Sequence, residues 1–167
     1  MRSWNDYKKT MQTETDIWQA AKAGNLNTVA TLLDAGVDIE ARDYRGYSPL
    51  MLAVYAGESD VADYLLDLGA DPNTADFNGN TVLMGASFKG HSTLVETLLE
   101  NGADFSLRNS AGMSAYDFAM TFGRVSVAKI LEEKNPDSKR SYDLVHRICN
   151  IFRLIPASLM NRGQQAP

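Results

Sequence analysis

Apolar and polar positions alternate along this chain in a pattern that repeats. In "GYSPLMLAVYAGESDVADYLLDLGAD", which begins at Gly46, a short apolar run follows Ser48 and stops at Gly57. Val61, Leu65 and Leu66 then fall at helical spacing, and Gly69 closes the segment. The same pattern begins again at Gly79, where Leu94, Val95, Leu98 and Leu99 make the second apolar stripe. Each copy therefore predicts two short helices. Ser48 and Thr81 stand where a side-chain oxygen can accept from the unpaired N–H groups of a first helical turn. Pro49 occupies the first helical position, where it has no hydrogen bond to lose. Gly57 and Gly90 end the first helix, and Gly36, Gly69 and Gly102 end the second.

Steps of 33 residues extend the pattern over four copies. Ala20 leads to Ala53, Ala86 and Ala119, small enough for close helix packing. Gly24 leads to Gly57, Gly90 and Gly123, and Leu32 to Leu65, Leu98 and Leu131. Asp38 leads to Asp71, Asp104 and Asp137, and a hydroxyl recurs at Thr15, Ser48, Thr81 and Ser114. Asn135 replaces the closing glycine of the last copy, and Pro136 forbids continuation. A unit of two short helices cannot bury its own apolar face, so such units must stack, and about three or more are needed.

The segment "GYSPLMLAVYAGESDVADYLLDLGADPN" resembles the ankyrin repeat, whose usual phrase is GxTPLHxAxxGHxxxVxxLLxxGADxN. The resemblance covers roughly residues 13–137, divided at about 13–45, 46–78, 79–111 and 112–137. It implies an all-α, ankyrin-type solenoid of stacked helix–turn–helix repeats with projecting β-turn fingers, and function by protein binding. The departures are specific. The usual histidine of the first helix becomes Trp18, Met51, Met84 and Asp117, the proline survives only at Pro49, and the Gly–His pair only at Gly90–His91. Trp18, Met51 and Met84 are expected as core or half-buried filler. Asn73 resembles the asparagine that hydroxylases modify in some family members, and a turn-stabilising role is expected of it here.

Composition narrows the rest. At 167 residues and 44% hydrophobic, the chain can bury a core, and no stretch approaches the apolar length of a membrane span. Residues 1–16 lack the apolar run of a secretory signal, and the single cysteine, Cys149, fits a reducing, cytoplasmic setting. Export as an effector would leave no hydrophobic trace. The net charge of −5 divides unevenly: residues 1–137 hold 11 basic against 20 acidic side chains, and residues 138–167 hold five basic against Asp143 alone. An acidic body is a poor partner for nucleic acid, and it points to a protein partner with basic features.

The chain carries no phosphate-binding glycine loop and no zinc-type Cys/His spacing, so no enzyme activity, cofactor or metal is expected. His91 falls at a helix start. His146 and Cys149 lie three apart, as a nucleophile and base would, but without an obvious orienting residue.

In the ankyrin family the binding face is made by the fingers and the exposed part of the first helices. Carried over by position, the fingers here offer Tyr44, Arg45 and Tyr47, then Phe77, Asn78 and Asn80, then Ser110, Ala111 and Met113. The helix ends offer Lys22–Ala23, Tyr55–Ala56, Phe88–Lys89 and Thr121–Phe122. The fold is expected to need none of these side chains, yet Tyr44, Tyr47, Tyr55, Phe77, Phe88 and Phe122 are aromatic, the composition of interface hot spots. The competing reading has some of them turned inward or laid over a neighbouring repeat, and the C-terminal segment is able to cover Phe122.

Both ends fall outside the register. In segment 1–12, Trp4, Tyr7 and Met11 are spaced like a short capping helix. In 138–167, Val145, Ile148, Cys149, Phe152 and Ile155 form an apolar helical stripe beside Lys139, Arg140, Arg147 and Arg153. This basic amphipathic helix has three readings: a cap over Val127, Ile130 and Leu131, a recruitment helix for another protein's groove, or a membrane-surface anchor through residues 138–160. The anchor would make the chain a membrane-peripheral scaffold. A monomer is expected, although a free tail helix is also able to pair with itself. The cap reading predicts a lower melting temperature or aggregation for a chain ending at Pro136. The anchor reading predicts co-sedimentation with anionic vesicles that salt abolishes.

Overall fold

The computed structural model describes residues 17–134. Segment 1–12, the 138–167 tail and the His146–Cys149 pair lie outside the described residues. Within them are eight helices: α1 (17–22), α2 (Leu26–Asp34), α3 (Pro49–Ala56), α4 (Ser59–Asp67), α5 (Val82–Lys89), α6 (Ser92–Glu100), α7 (Ala115–Thr121) and α8 (Val125–Lys134). None of them is long and apolar enough to cross a membrane. Among the described residues the only β pairing is an isolated bridge between Ala75 and Thr81.

Each odd-numbered helix from α3 starts on its expected hydroxyl. The Ser48, Thr81 and Ser114 side chains accept from the N–H groups of Met51, Met84 and Asp117 at 3.2, 3.3 and 3.2 Å. At the third start the departure from the family phrase has a use: the Asp117 carboxylate accepts from the Ser114 N–H at 2.8 Å, completing a capping box. At the other end of α3, Gly57 lies at φ +91° and donates to the Ala53 carbonyl at 2.9 Å, turning the chain into α4. Gly90 does the same after α5 at φ +85°.

The first helices pack side by side, α3 on α5 and α5 on α7, and the second helices form a parallel layer, α2 on α4, α4 on α6 and α6 on α8. The core lies between the layers. Ala53, Ala86 and Ala119 are fully buried, as are Leu65 and Leu98, and Met51 and Met84 join them as filler. Trp18 is half-buried, with its indole N–H donating to the Ala41 carbonyl at 3.0 Å. At the far end Val127 and Leu131 are buried and Ile130 is half-buried.

A contact outside the expected pattern joins the repeats. The residue after each helix-ending glycine lies over the glycine of the preceding repeat: Glu58 on Gly24, His91 on Gly57 and Arg124 on Gly90. A Cβ on Gly57 would stand 3.0 Å from the His91 ring, so the left-handed turn and the fit to the next repeat both require glycine. His91 is thus a structural residue at the start of α6, and its buried Nε2 has no hydrogen-bond partner among the described residues.

Gly57→Ala is expected to destabilise more than Gly69→Ala. Both put a side chain at a φ near +90°, at +91° and +89°, and at Gly69 a new Cβ meets nothing within 4 Å. The backbone term, about 1–2 kcal/mol, is common to both, so the excess measured by urea unfolding reports the His91 contact. Equal losses would remove that contact from the account.

Candidate functional site

The finger side of the array is built on one device used three times. Asp43 Oδ1 accepts from the N–H groups of Arg45 and Tyr47, both at 2.8 Å. Asp76 Oδ1 accepts from Asn78 and Asn80, both at 2.8 Å, and Asn109 Oδ1 accepts from Ala111 and Met113 at 3.0 and 2.9 Å. A backbone bond closes each turn, from Asp43 to Tyr47, Asp76 to Asn80 and Asn109 to Met113, each at 3.0 Å. The side-chain oxygen substitutes for a backbone acceptor, as Asp and Asn do in turns. These three residues form a column at steps of 33 in the sequence, alongside Gly46, Gly79 and Gly112. That spacing is the signal by which a sequence reading could have found them.

Neighbouring fingers are also tied to each other. Phe77 N–H donates to the Arg45 carbonyl at 3.4 Å, Ser110 N–H to the Asn78 carbonyl at 3.0 Å, and Asn109 Nδ2 to Asn80 Oδ1 at 2.7 Å. Arg42 reaches from one repeat to the next, donating to Ala75 O at 2.6 Å and to Thr74 Oγ1 at 3.0 Å. Glu40 accepts from the Asp71 N–H, and Asn73, 33 residues on, accepts from the Asp104 N–H and donates to Gly102 O, so the asparagine ties one repeat to the next as well as standing in a turn. The tips are therefore held before any ligand arrives.

Among the candidate residues, Tyr44 and Phe77 project from the tips, 81% and 70% exposed. Arg45 stacks on Tyr44, with its guanidinium carbon 5.1 Å from the ring centroid, and Asn78 is exposed. On the helices, Tyr55 and Phe88 stack with centroids 5.9 Å apart, and Phe122 meets Phe88 edge-on at 4.5 Å. Phe118 stacks on Phe122 in turn, at 6.2 Å. The third rung departs from the 33-residue register, where Thr121 would stand. Lys89 Nζ lies 4.6 Å above the Tyr55 ring. Partial burial, and after it the electrostatic influence of Tyr47, raise the Tyr55 phenol above the usual tyrosine range. Phe122, at 46% exposed, is open.

The expectation that the fold requires none of these side chains needs correction. Asn80 has both ends of its amide engaged, Nδ2 donating to Asp76 Oδ2 at 2.8 Å and Oδ1 accepting from Asn109. Tyr47 packs half-buried against the core, and Phe88 and Met113 are also half-buried. The 33-residue register of the repeat showed the positions and could not show these cross-repeat contacts.

Two hollows lie on this side. A groove of about 890 Å³ runs between α1 and the first finger, lined by Trp18, Lys22, Tyr44, Arg45 and Tyr47 among others. A smaller notch of about 160 Å³ lies between α3, α5 and α7. Tyr47 lines both.

Charge is unevenly placed across the array. Asp34, Asp60, Asp63, Asp67, Glu96 and Glu100 are exposed on the second helices, and Asp38, Asp71 and Asp104 are exposed in the loops that lead from them to the fingers. On the finger and first-helix side, Asp43 and Asp76 hold the turns, and Asp117 caps α7 and pairs with Arg108 at 3.0 Å. Lys22, Arg45 and Lys89 are exposed there. Among the described residues no group of three or more His, Cys, Asp or Glu is placed to hold a metal ion.

A family model described as ankyrin repeats, three copies long, matches residues 3–76 and again residues 68–141. No curated protein matches the chain.

Two substitutions separate the structural from the free positions. Asn80→Ala, which strips two fingers of a shared partner, is expected to lower the unfolding free energy by about 1–2 kcal/mol. Tyr44→Ala is expected to stay within about 0.5 kcal/mol of the wild type. Urea titrations measure both, and a neutral Asn80→Ala would show that the finger-to-finger bond carries no weight.

Proposed function

Because the chain belongs to the ankyrin-repeat family, whose repeats are protein-interaction modules and typically not enzymes, we propose that it acts as a monomeric adaptor or masking inhibitor. It engages one protein partner across the fingers and first helices. The observation that carries this reading is the aromatic ladder of Tyr55, Phe88 and Phe122, which spans three repeats beside the exposed tips Tyr44 and Phe77. Aromatic rings on a water-facing surface bury much area on binding and lose little conformational freedom. The fingers that carry two of them are hydrogen-bonded in place, so little ordering cost is left for the complex.

The charge pattern supports a partner whose contact surface is apolar and acidic. Lys22, Arg45 and Lys89 would face it, while the carboxylates of the second helices hold other basic surfaces on the outside of the complex. Masking and bridging differ only in what the rest of the partner can still reach.

Full-length wild type and a Tyr44→Ala/Tyr55→Ala variant are to be compared as baits in affinity capture, and then by titration with each captured protein. Tyr44 is well exposed and Tyr55 less so, so circular dichroism is expected to show both baits folded, the variant melting slightly lower through loss of the Tyr55–Phe88 stack. The proposal expects a partner whose affinity falls roughly a hundredfold in the variant and whose association rate falls with added salt. A partner that binds both baits equally would move the working surface elsewhere on the chain.

A further inference from the structure

One residue of the first-helix face is out of keeping with its column. Leu52, Gly85 and Phe118 occupy equivalent places at steps of 33 in α3, α5 and α7. Ten of the eleven described glycines have positive φ and are glycine because the backbone requires it. Gly85 is the exception, an ordinary helical residue in the middle of α5. There glycine costs about 1 kcal/mol relative to alanine, with no return in backbone geometry. Its effect is on space. A Cβ at Gly85 would meet only the Tyr55 ring, at 3.4 Å, and the side-chain volume present at Leu52 and Phe118 is missing.

The missing volume is the notch. Its walls are Tyr47, Met51, Tyr55, Met84, Phe88 and Phe118, and its volume is about 160 Å³. Apolar protein cavities of roughly 150 Å³ hold a benzene ring. At its edge Asp76 already accepts from two backbone N–H groups and from Asn80, and Thr81 Oγ1 accepts from the N–H of Met84, while most of the wall is apolar. Around it the exposed charges are cationic, with Lys89 over the Tyr55 ring on one side, and Lys22 and Arg45 in the groove beyond Tyr47 on the other.

We propose that this notch receives one aliphatic or small aromatic side chain from an extended, acidic segment of the protein partner. The flanking carboxylates of the segment meet Lys89 and, past Tyr47, the Lys22–Arg45 groove. The inference rests on the interaction reading above and specifies the chemistry of the partner. The chain's own tail is a poor occupant, since residues 138–167 hold Lys139, Arg140, Arg147, Arg153 and Arg162 against Asp143 alone.

The test is selection of short displayed peptides on the immobilised full-length chain. Each peptide has one position fixed as leucine, methionine or phenylalanine, and flanks that vary through acidic, basic and neutral residues. Wild type is compared with Gly85→Leu and with Lys22→Glu/Arg45→Glu. Gly85→Leu restores the residue of the neighbouring repeat and a better helix former, so its melting temperature is expected to equal or exceed that of wild type. The proposal expects acidic flanks among the selected peptides and a loss of roughly tenfold or more in their affinity for Gly85→Leu. It also expects a comparable loss for the charge-reversed variant.

Equal binding to Gly85→Leu, or selection of basic flanks, overturns the proposal. So does a crosslink from Lys89 to the 138–167 tail, which would make the tail the occupant. A dimer that Gly85→Leu dissociates overturns it too, making the occupant a second copy. If Tyr44→Ala/Tyr55→Ala still abolishes capture while Gly85→Leu changes nothing, the interaction reading stands and the notch alone falls.

Discussion

Every repeat has to reverse the chain between its two helices within a few residues, and it must do so without blocking the repeat that follows. Glycine at the end of the first helix meets both demands. Its left-handed φ makes the reversal, and the space above it takes a side chain from the next repeat, as His91 does over Gly57. Turning within a unit and seating between units are therefore one event. The second helices, the alignment of the fingers and the continuity of the aromatic face all follow from that shared seat. The three seated residues, Glu58, His91 and Arg124, have little chemistry in common. The seat selects for reach and shape, and it tolerates an acid, an imidazole or a guanidinium.

The fingers show how a binding surface is kept apart from the scaffold that holds it. Asp43, Asp76 and Asn109 bind backbone N–H groups from beneath, so the residues at the tips have no part in forming the turn. Tyr44 can vary without disturbing the fold, whereas the Phe77 ring lies over Gly46 of the preceding finger. The next positions are different: Asn80 and Tyr47 face the neighbouring finger or the core and hold the tips at a fixed separation. Free and structural roles thus alternate within a few residues of each other.

Much of this architecture could be read from the sequence, because a repeat prints its constraints several times. The alanine and leucine columns lie in the core, the hydroxyl column caps the helices, and the helix-closing glycines turn left-handed. What escaped were contacts between residues that do not occupy equivalent positions. Phe122 reaches Phe88 although the register places Thr121 there, and Asn80 is held by Asn109 from a different place in the next finger. Counting residues gives an acidic body, and the arrangement in space is what places Lys22, Arg45 and Lys89 beside the aromatic rings. Gly85 was visible as a glycine, but the volume it leaves open depends on Tyr55 and Phe118 from the repeats on either side.

Among the described residues the main helix contacts are within a repeat or between adjoining repeats, a property with a bearing on ancestry. Duplicating or deleting one whole unit leaves every remaining seat and finger bond with an equivalent partner, so length is free to change between descendants. The notch and the groove are not free in that way. They sit in adjoining repeats and share Tyr47 as a wall, so a unit inserted between them would move them apart by one full repeat. Lineages that keep the same ligand should therefore gain or lose units at the ends of the array, and leave the junction at Tyr47 uninterrupted.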